Sequence, residues 1–189
     1  MSAVFTPTRT KITVQRFQDM IASGVLRDDE RIELIDGEMI DMAPIGAVHA
    51  WTVDRLSELL RMDAAPIAHV WVQLPVALAD LSQPQSDLAL IRSKPEGYGR
   101  QLPREQDILL VIEVSDSTLA YDQGTKQRVY AKHNIPEYWI VDVQAKRIEV
   151  YRGPSSNGYT RKSECAGNDV VSPQECPKVR IELTSLFAD

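Results

Sequence analysis

Five apolar residues in unbroken succession, Ile108, Leu109, Leu110, Val111 and Ile112, are followed by Glu113 and then Val114. A run with no polar alternation predicts a strand over residues 108–114 that is covered on both faces. The rest of the chain is amphipathic. "RIELIDGEMIDM" alternates apolar and polar positions around Asp36-Gly37, which predicts a hairpin with arms 31–35 and 38–42. Over residues 48–62 the spacing becomes helical, with Val48, Trp51, Leu56, Leu59 and Leu60 on one side. A shorter helix is expected over 13–22, with Thr13 as its N-cap and Phe17, Met20 and Ile21 on its apolar side. "HVWVQLPVAL" and "SDLALI" read as strands, and residues 92–104 as a loop rich in proline and glycine. A helix is expected over 122–132, capped by Asp122. The strands "EYWIVDV" and "RIEVYR" follow, joined at Gln144-Ala145-Lys146, and the tail adds two weak strands.

The resulting order is hairpin, helix, three strands, helix, two strands. It predicts one α/β (α+β) domain over residues 1–189, a sheet with helices to cover both its faces. A chain of 189 residues can bury one substantial core. The net charge of −6 argues against sequence-independent nucleic-acid binding by the whole surface, while leaving room for one basic face. No apolar run approaches the ~20 residues of a membrane helix, and "MSAVFTPTRTKITVQRF" lacks the apolar stretch of a secretion signal. The expectation is a cytoplasmic protein, no membrane, with Cys165 and Cys176 as free thiols and not as a zinc site.

Glu113 then needs an explanation, because a lone ionised carboxylate in an apolar site is costly. Its place at a strand end, where open sheets present ligands, offers one. Asp87 also interrupts an apolar context, at the head of "SDLALI". If these strands are antiparallel neighbours, the two carboxylates converge, and a divalent cation between them, Mg²⁺ or Mn²⁺, would relieve their repulsion. On the following helix Lys126, Val129, Tyr130 and His133 share a face, which brings Lys126 toward the same cluster. Taken singly these residues have plainer readings. Asp87 suits a strand-start turn, Glu113 a strand-end salt bridge, and Lys126 a solvated helix surface.

The blocks "ELIDGEMIDMAP", His49 opening a helix, "QPQSDLAL", "VIEVSDST" and "YDQGTKQRVYAKHNIPEYWIVD" occur in that order. Together they resemble the Uma-two family of restriction-endonuclease domains, within the PD-(D/E)XK nuclease superfamily. The resemblance runs from about residue 33 to 151, more faintly to 186. It implies a restriction-endonuclease-like core, a mixed sheet flanked by helices, with a divalent metal at the sheet's split end. Carried over, Asp87 is the motif aspartate, Glu113 the motif glutamate and Lys126 the catalytic lysine; Asp87 and Glu113 hold the metal. Glu33 and His49 match further marked positions. Glu33 is placed to add a carboxylate or brace Lys126, and His49 to touch a phosphate or a metal-bound water; a hairpin salt bridge and a helix cap are their rival readings. Tyr130 is placed to hold a site residue through its hydroxyl. Two positions depart from the pattern: Ser86 stands where the family has proline, and Ser115 where the superfamily usually has its lysine.

The expected function is a metal-dependent endonuclease hydrolysing DNA, working as a homodimer because cutting both strands takes two sites. A catalytically silent binding module on the same fold is the first alternative. A metal-free hydrolase using Asp87 and Glu113 as an acid/base pair is the second, and aromatics at only 6% give it no sugar-binding cleft. Arg92, Lys94, Arg100 and Arg104, with Arg128 and Lys132, are candidates for a basic rim around the site or for a solvated loop.

Overall fold

The computed structural model describes residues 9–27 and 29–188; the first eight residues of the N-terminal segment read above lie outside them. Thr13 caps the first helix as expected: its hydroxyl accepts from the Arg16 amide at 3.2 Å, opening α1 (Val14–Ala22). Asp36 and Gly37 both take positive φ, 48° and 80°, as the favoured two-residue hairpin turn requires, and they join β1 (Ile32–Ile35) to β2 (Glu38–Asp41). This hairpin is a sheet of its own. It is anchored by Leu34 and Gln83, which exchange backbone bonds of 3.3 and 2.7 Å.

The second helix, α2 (Ala47–Ala64), buries Thr52, Val53, Leu56, Leu60 and Ala64. Val48 and Trp51, expected on the buried side, are instead 57% and 60% exposed. They belong with Arg55 to the adjoining stripe, since positions i, i+3 and i+7 share a face. β3 (Ala68–Val72) is shorter than the apolar run suggested. Gln73 turns to φ 48°, and residues 75–78 make only isolated bridges, because Pro75 has no N–H to give a ladder. β4 (Leu88–Arg92) and β5 (Ile108–Ser115) follow, β5 buried along its whole length.

The next helical segment starts earlier than predicted. It comprises α3 (Leu119–Tyr121), a wider π-helical stretch (Asp122–Lys126) and α4 (Gln127–Lys132). Asp122 is therefore a buried interior residue and not the cap. After β6 (Glu137–Asp142) and β7 (Arg147–Ser155), the tail contributes a nine-residue strand, β8 (Gly158–Ala166), where only weak strands were expected. It ends with β9 (Val170–Val171), β10 (Ile181–Glu182) and α5 (Leu183–Leu186).

The main sheet has the order β3-β4-β5-β6-β7-β8. All its pairs are antiparallel except β5–β6. That parallel pair needs a crossover, which α3 and α4 supply. One face of the sheet packs Leu110, Ile112 and Trp139 against Val53, Leu56 and Leu60 of α2 and against Leu183 and Leu186 of the tail. The other face packs Val111, Tyr138 and Ile140 against Val129 and Tyr130 of α4 and Ile35 of the hairpin. The continuous apolar strand is thus covered on both sides, and the α+β mixed-sheet architecture is the one anticipated.

Candidate active site

β4 and β5 run antiparallel with Leu88 opposite Ile112, so Asp87 and Glu113 meet where β4 begins and β5 ends. Each carboxylate is held by the backbone beside the other. The Asp87 amide donates to Glu113 Oε2 at 3.2 Å, and the Val114 amide to Asp87 Oδ2 at 2.9 Å. This is why a carboxylate ends the most buried strand: its neighbours satisfy it without exposing it. Glu113 is 4% exposed.

The crossover helix brings Lys126 to the same point. In the π-helical stretch the turn is one residue wider than in an α-helix, and both Asp122 and Lys126 turn inward. Lys126 Nζ donates to Glu113 Oε1 at 3.0 Å and to Glu33 Oε2 at 2.8 Å. Tyr130, one turn on, donates to Glu113 Oε1 at 2.7 Å. Glu33, on β1, also accepts from the Gln85 amide at 3.2 Å and from the Tyr121 hydroxyl at 3.3 Å. From the first turn of α2, His49 Nε2 meets Asp87 Oδ2 at 3.0 Å. All five residues singled out from the sequence, Glu33, His49, Asp87, Glu113 and Lys126, therefore meet in one hydrogen-bonded cluster. They line a cavity of about 370 Å³.

The cluster is short of positive charge. Burial pushes the Glu113 carboxyl up to about 8; Asp87, Asp122 and Glu33 add to the rise and Lys126 opposes it. Burial by itself would lower the Lys126 ammonium, but Glu113 and Glu33 outweigh it and hold the lysine charged well above its usual range. One ammonium therefore faces the carboxyl groups of Glu33 and Glu113, the latter largely protonated near neutral pH until a cation joins the cluster, with Asp87 and Asp122 close by. His49 is raised chiefly by its bond to Asp87, while its Nδ1 is buried without a partner among the described residues. A proton on Nε2 satisfies Asp87 and leaves no N–H stranded at Nδ1. Among the described residues no three His, Cys, Asp or Glu side chains form a ready-made metal cage. The donor set is instead two carboxylates, and it fits a hard cation that keeps most of its own water, as Mg²⁺ does.

Several contributors were not read from the sequence. Asp122 accepts from the Ser115 and Thr118 hydroxyls, both at 2.6 Å, so Ser115 secures a carboxylate from the position where the superfamily lysine usually stands. An aspartate at a helix start ordinarily reads as a cap, and the earlier helix start makes Asp122 an interior residue instead. Arg31, Asp116 and Tyr121 also line the cavity. The basic loop does not. Arg92 ends β4, at the opposite end from Asp87, and Lys94 pairs with Asp107 at 2.7 Å. None of the six basic residues considered for a rim lines this cavity, and Lys132 pairs with Asp36 at the hairpin turn at 2.7 Å. Strand direction excludes the loop, because β4 carries the chain away from the site before the loop begins.

Residues 14–184 match the model of the Uma2 family, described as "Putative restriction endonuclease". No curated protein matches the chain. Among solved structures, the chain is similar to one described as a "putative nuclease belonging to DUF820" from Anabaena variabilis. Identity is 16%, with 94% of this chain and 98% of that one covered at a TM-score of 0.75, so the two share a fold.

Proposed function

The chain belongs to the Uma2 family, and from that premise and the geometry of its cavity we propose that it is a metal-dependent endonuclease hydrolysing DNA phosphodiester bonds. The observation that carries this reading is the convergence of Asp87, Glu113 and Lys126 from three separate elements in one cavity lined by more carboxyl groups than basic ones. Asp87 and Glu113 would hold Mg²⁺ or Mn²⁺. A divalent cation bound there supplies polarisation of a phosphoryl oxygen and a water of lowered pKa. Lys126 keeps a fixed positive charge at the reaction centre, where it can offset charge that develops on the phosphate. Glu33 fixes the direction of that ammonium, and His49 fixes the Asp87 carboxylate. Cleavage would leave a 5′-phosphate. A homodimer would supply the second site that cutting both strands requires.

A catalytically silent binding or interaction module on the same fold is the second reading. It is favoured by the absence of the basic loop from the cavity and by the net charge of −6. One experiment separates the two. The protein is incubated with plasmid and Mg²⁺ or Mn²⁺, with and without chelator, beside Asp87→Ala and Lys126→Ala. Nicking by the wild type alone, lost with chelator and in both variants, is the expected result. No cleavage, together with no metal binding by calorimetry, would establish the silent module.

A further inference from the structure

The cavity has two unlike walls. Asp87, Glu113 and Lys126 form one. The other comes from β2 and the approach to α2, and it presents Ile40, Met42, Pro44 and Ile45. Arg31 is fixed at this second wall, its Nη1 donating to the Ala43 carbonyl at 2.8 Å. It lines the same cavity as His49, Asp87 and Glu113. The other basic groups of the cavity are engaged: Lys126 by Glu33 and Glu113, His49 by Asp87. Among the described residues, Arg31 alone of these makes no bond to a carboxylate. A guanidinium carries five donors in a rigid fork, and one bond to Ala43 leaves the rest for an anion.

We propose that Arg31 and the apolar wall of residues 42–45 form a subsite for one unstacked nucleotide of the substrate strand. The guanidinium takes the phosphate next to the scissile one, and the wall takes the sugar and base. This rests on the nuclease reading above and narrows its substrate to DNA in which a nucleotide can leave the stack, as in single strands and strained supercoiled duplex. In a duplex both faces of each base are covered by stacking, so a concave apolar wall meets a base only after the nucleotide has left the stack. Glu113 and Lys126 are each 4% exposed, so a phosphate reaches them only by entering the cavity. A stiff double helix does not fold into a space of about 370 Å³. An aliphatic wall has no base-edge donors or acceptors, so binding would tolerate any sequence.

The test is fluorescence anisotropy on the full chain, with labelled single-stranded and duplex DNA of one sequence and Ca²⁺ in place of Mg²⁺. Expected is a preference for the single strand of about tenfold or more. Arg31→Ala should lose about tenfold to a hundredfold of single-strand affinity, the usual worth of a hydrogen bond to a charged group. Arg31→Lys should recover part of it. Arg31→Gln retains a donor for Ala43 and should lose as much as Arg31→Ala, which separates lost charge from a loosened loop. Ile45→Ser should narrow the single-strand preference. A wild type that prefers duplex or binds neither form, or unchanged affinity in Arg31→Ala and Arg31→Gln, overturns the subsite. Parallel cleavage in Mg²⁺ keeps the two ideas apart. Cutting that is indifferent to Arg31 leaves the nuclease and removes the subsite, whereas Arg31-dependent binding without any cutting does the reverse.

Discussion

Lys126 Nζ lies 2.8 Å from Glu33 Oε2 and 3.0 Å from Glu113 Oε1, so one ammonium joins the separate hairpin to the central strand of the main sheet. All three side chains are nearly excluded from solvent. Breaking a buried pair from one side costs about 3–5 kcal/mol, because the partner is left charged and dry or must take up a proton. Lys126→Met should therefore abolish cleavage and also lower stability in urea by an amount of that order. Adding Glu33→Gln to Lys126→Met should restore part of the stability and none of the activity. If the two changes were simply additive in stability, the pair would not be coupled in this way.

The Asp87–Glu113 contact predicts the opposite sign for a different change. Two carboxylates at one site repel each other unless a cation lies between them. Asp87→Asn should leave the metal-free protein as stable as the wild type or slightly more so. Mg²⁺ should raise the melting temperature of the wild type and leave that of Asp87→Asn unmoved, as ligand linkage requires. Differential scanning calorimetry with and without chelator checks both statements.

Gly37 supports the site from a distance. Its φ is +80°, and a Cβ there would come within 2.6 Å of Lys11 Cβ and 3.2 Å of the Ile12 carbonyl. A left-handed conformation costs an L-residue about 1–2 kcal/mol before any clash. Gly37→Ala should destabilise the chain by at least about that much. Because the hairpin carries Glu33, it should lower kcat as well, although Gly37 does not line the cavity.

A pH effect is expected away from the site, at Glu149 on β7. Burial raises its carboxyl, but bonds from the Tyr151 hydroxyl, Lys162 and Gln123 outweigh that and hold it below the ordinary 4.5. The bonds measure 2.6, 3.0 and 2.9 Å. A depressed carboxyl contributes stability that is fully present above the ordinary value and is lost as pH falls through the lower native one, because the unfolded chain then binds more protons. Thermal melts should show the wild type ahead of Glu149→Gln at neutral pH, with the gap shrinking in acid below about pH 4. A gap that widened in acid would contradict the assignment.

The local elements were legible because short-range chemistry sets them. Asp36-Gly37 dictated the hairpin turn, Thr13 the first helix start, and the run from Ile108 the doubly covered strand. Even the encounter of Asp87 with Glu113 follows from polarity interrupting two apolar strands, given that the strands are antiparallel neighbours. Lys126 was within reach of the same reasoning through its helical face. Apolar spacing along α2 fits two adjacent stripes, and only the sheet it packs on selects between them, leaving Val48 and Trp51 exposed.

What the sequence determined by itself was an α+β fold and the meeting of Asp87, Glu113 and Lys126; Glu33 and His49 entered only through the family resemblance. Tertiary structure decided their linkage: Glu33 to Lys126, His49 to Asp87, and Ser115 with Thr118 to Asp122. It also decided that the basic loop stands at the far end of the sheet and that Arg31 stands at the cavity. The reason is reach. Turns, caps and periodicity act over a few residues, whereas Lys126 and Glu33 are 93 positions apart and their bond exists only because separate elements pack to bring it about.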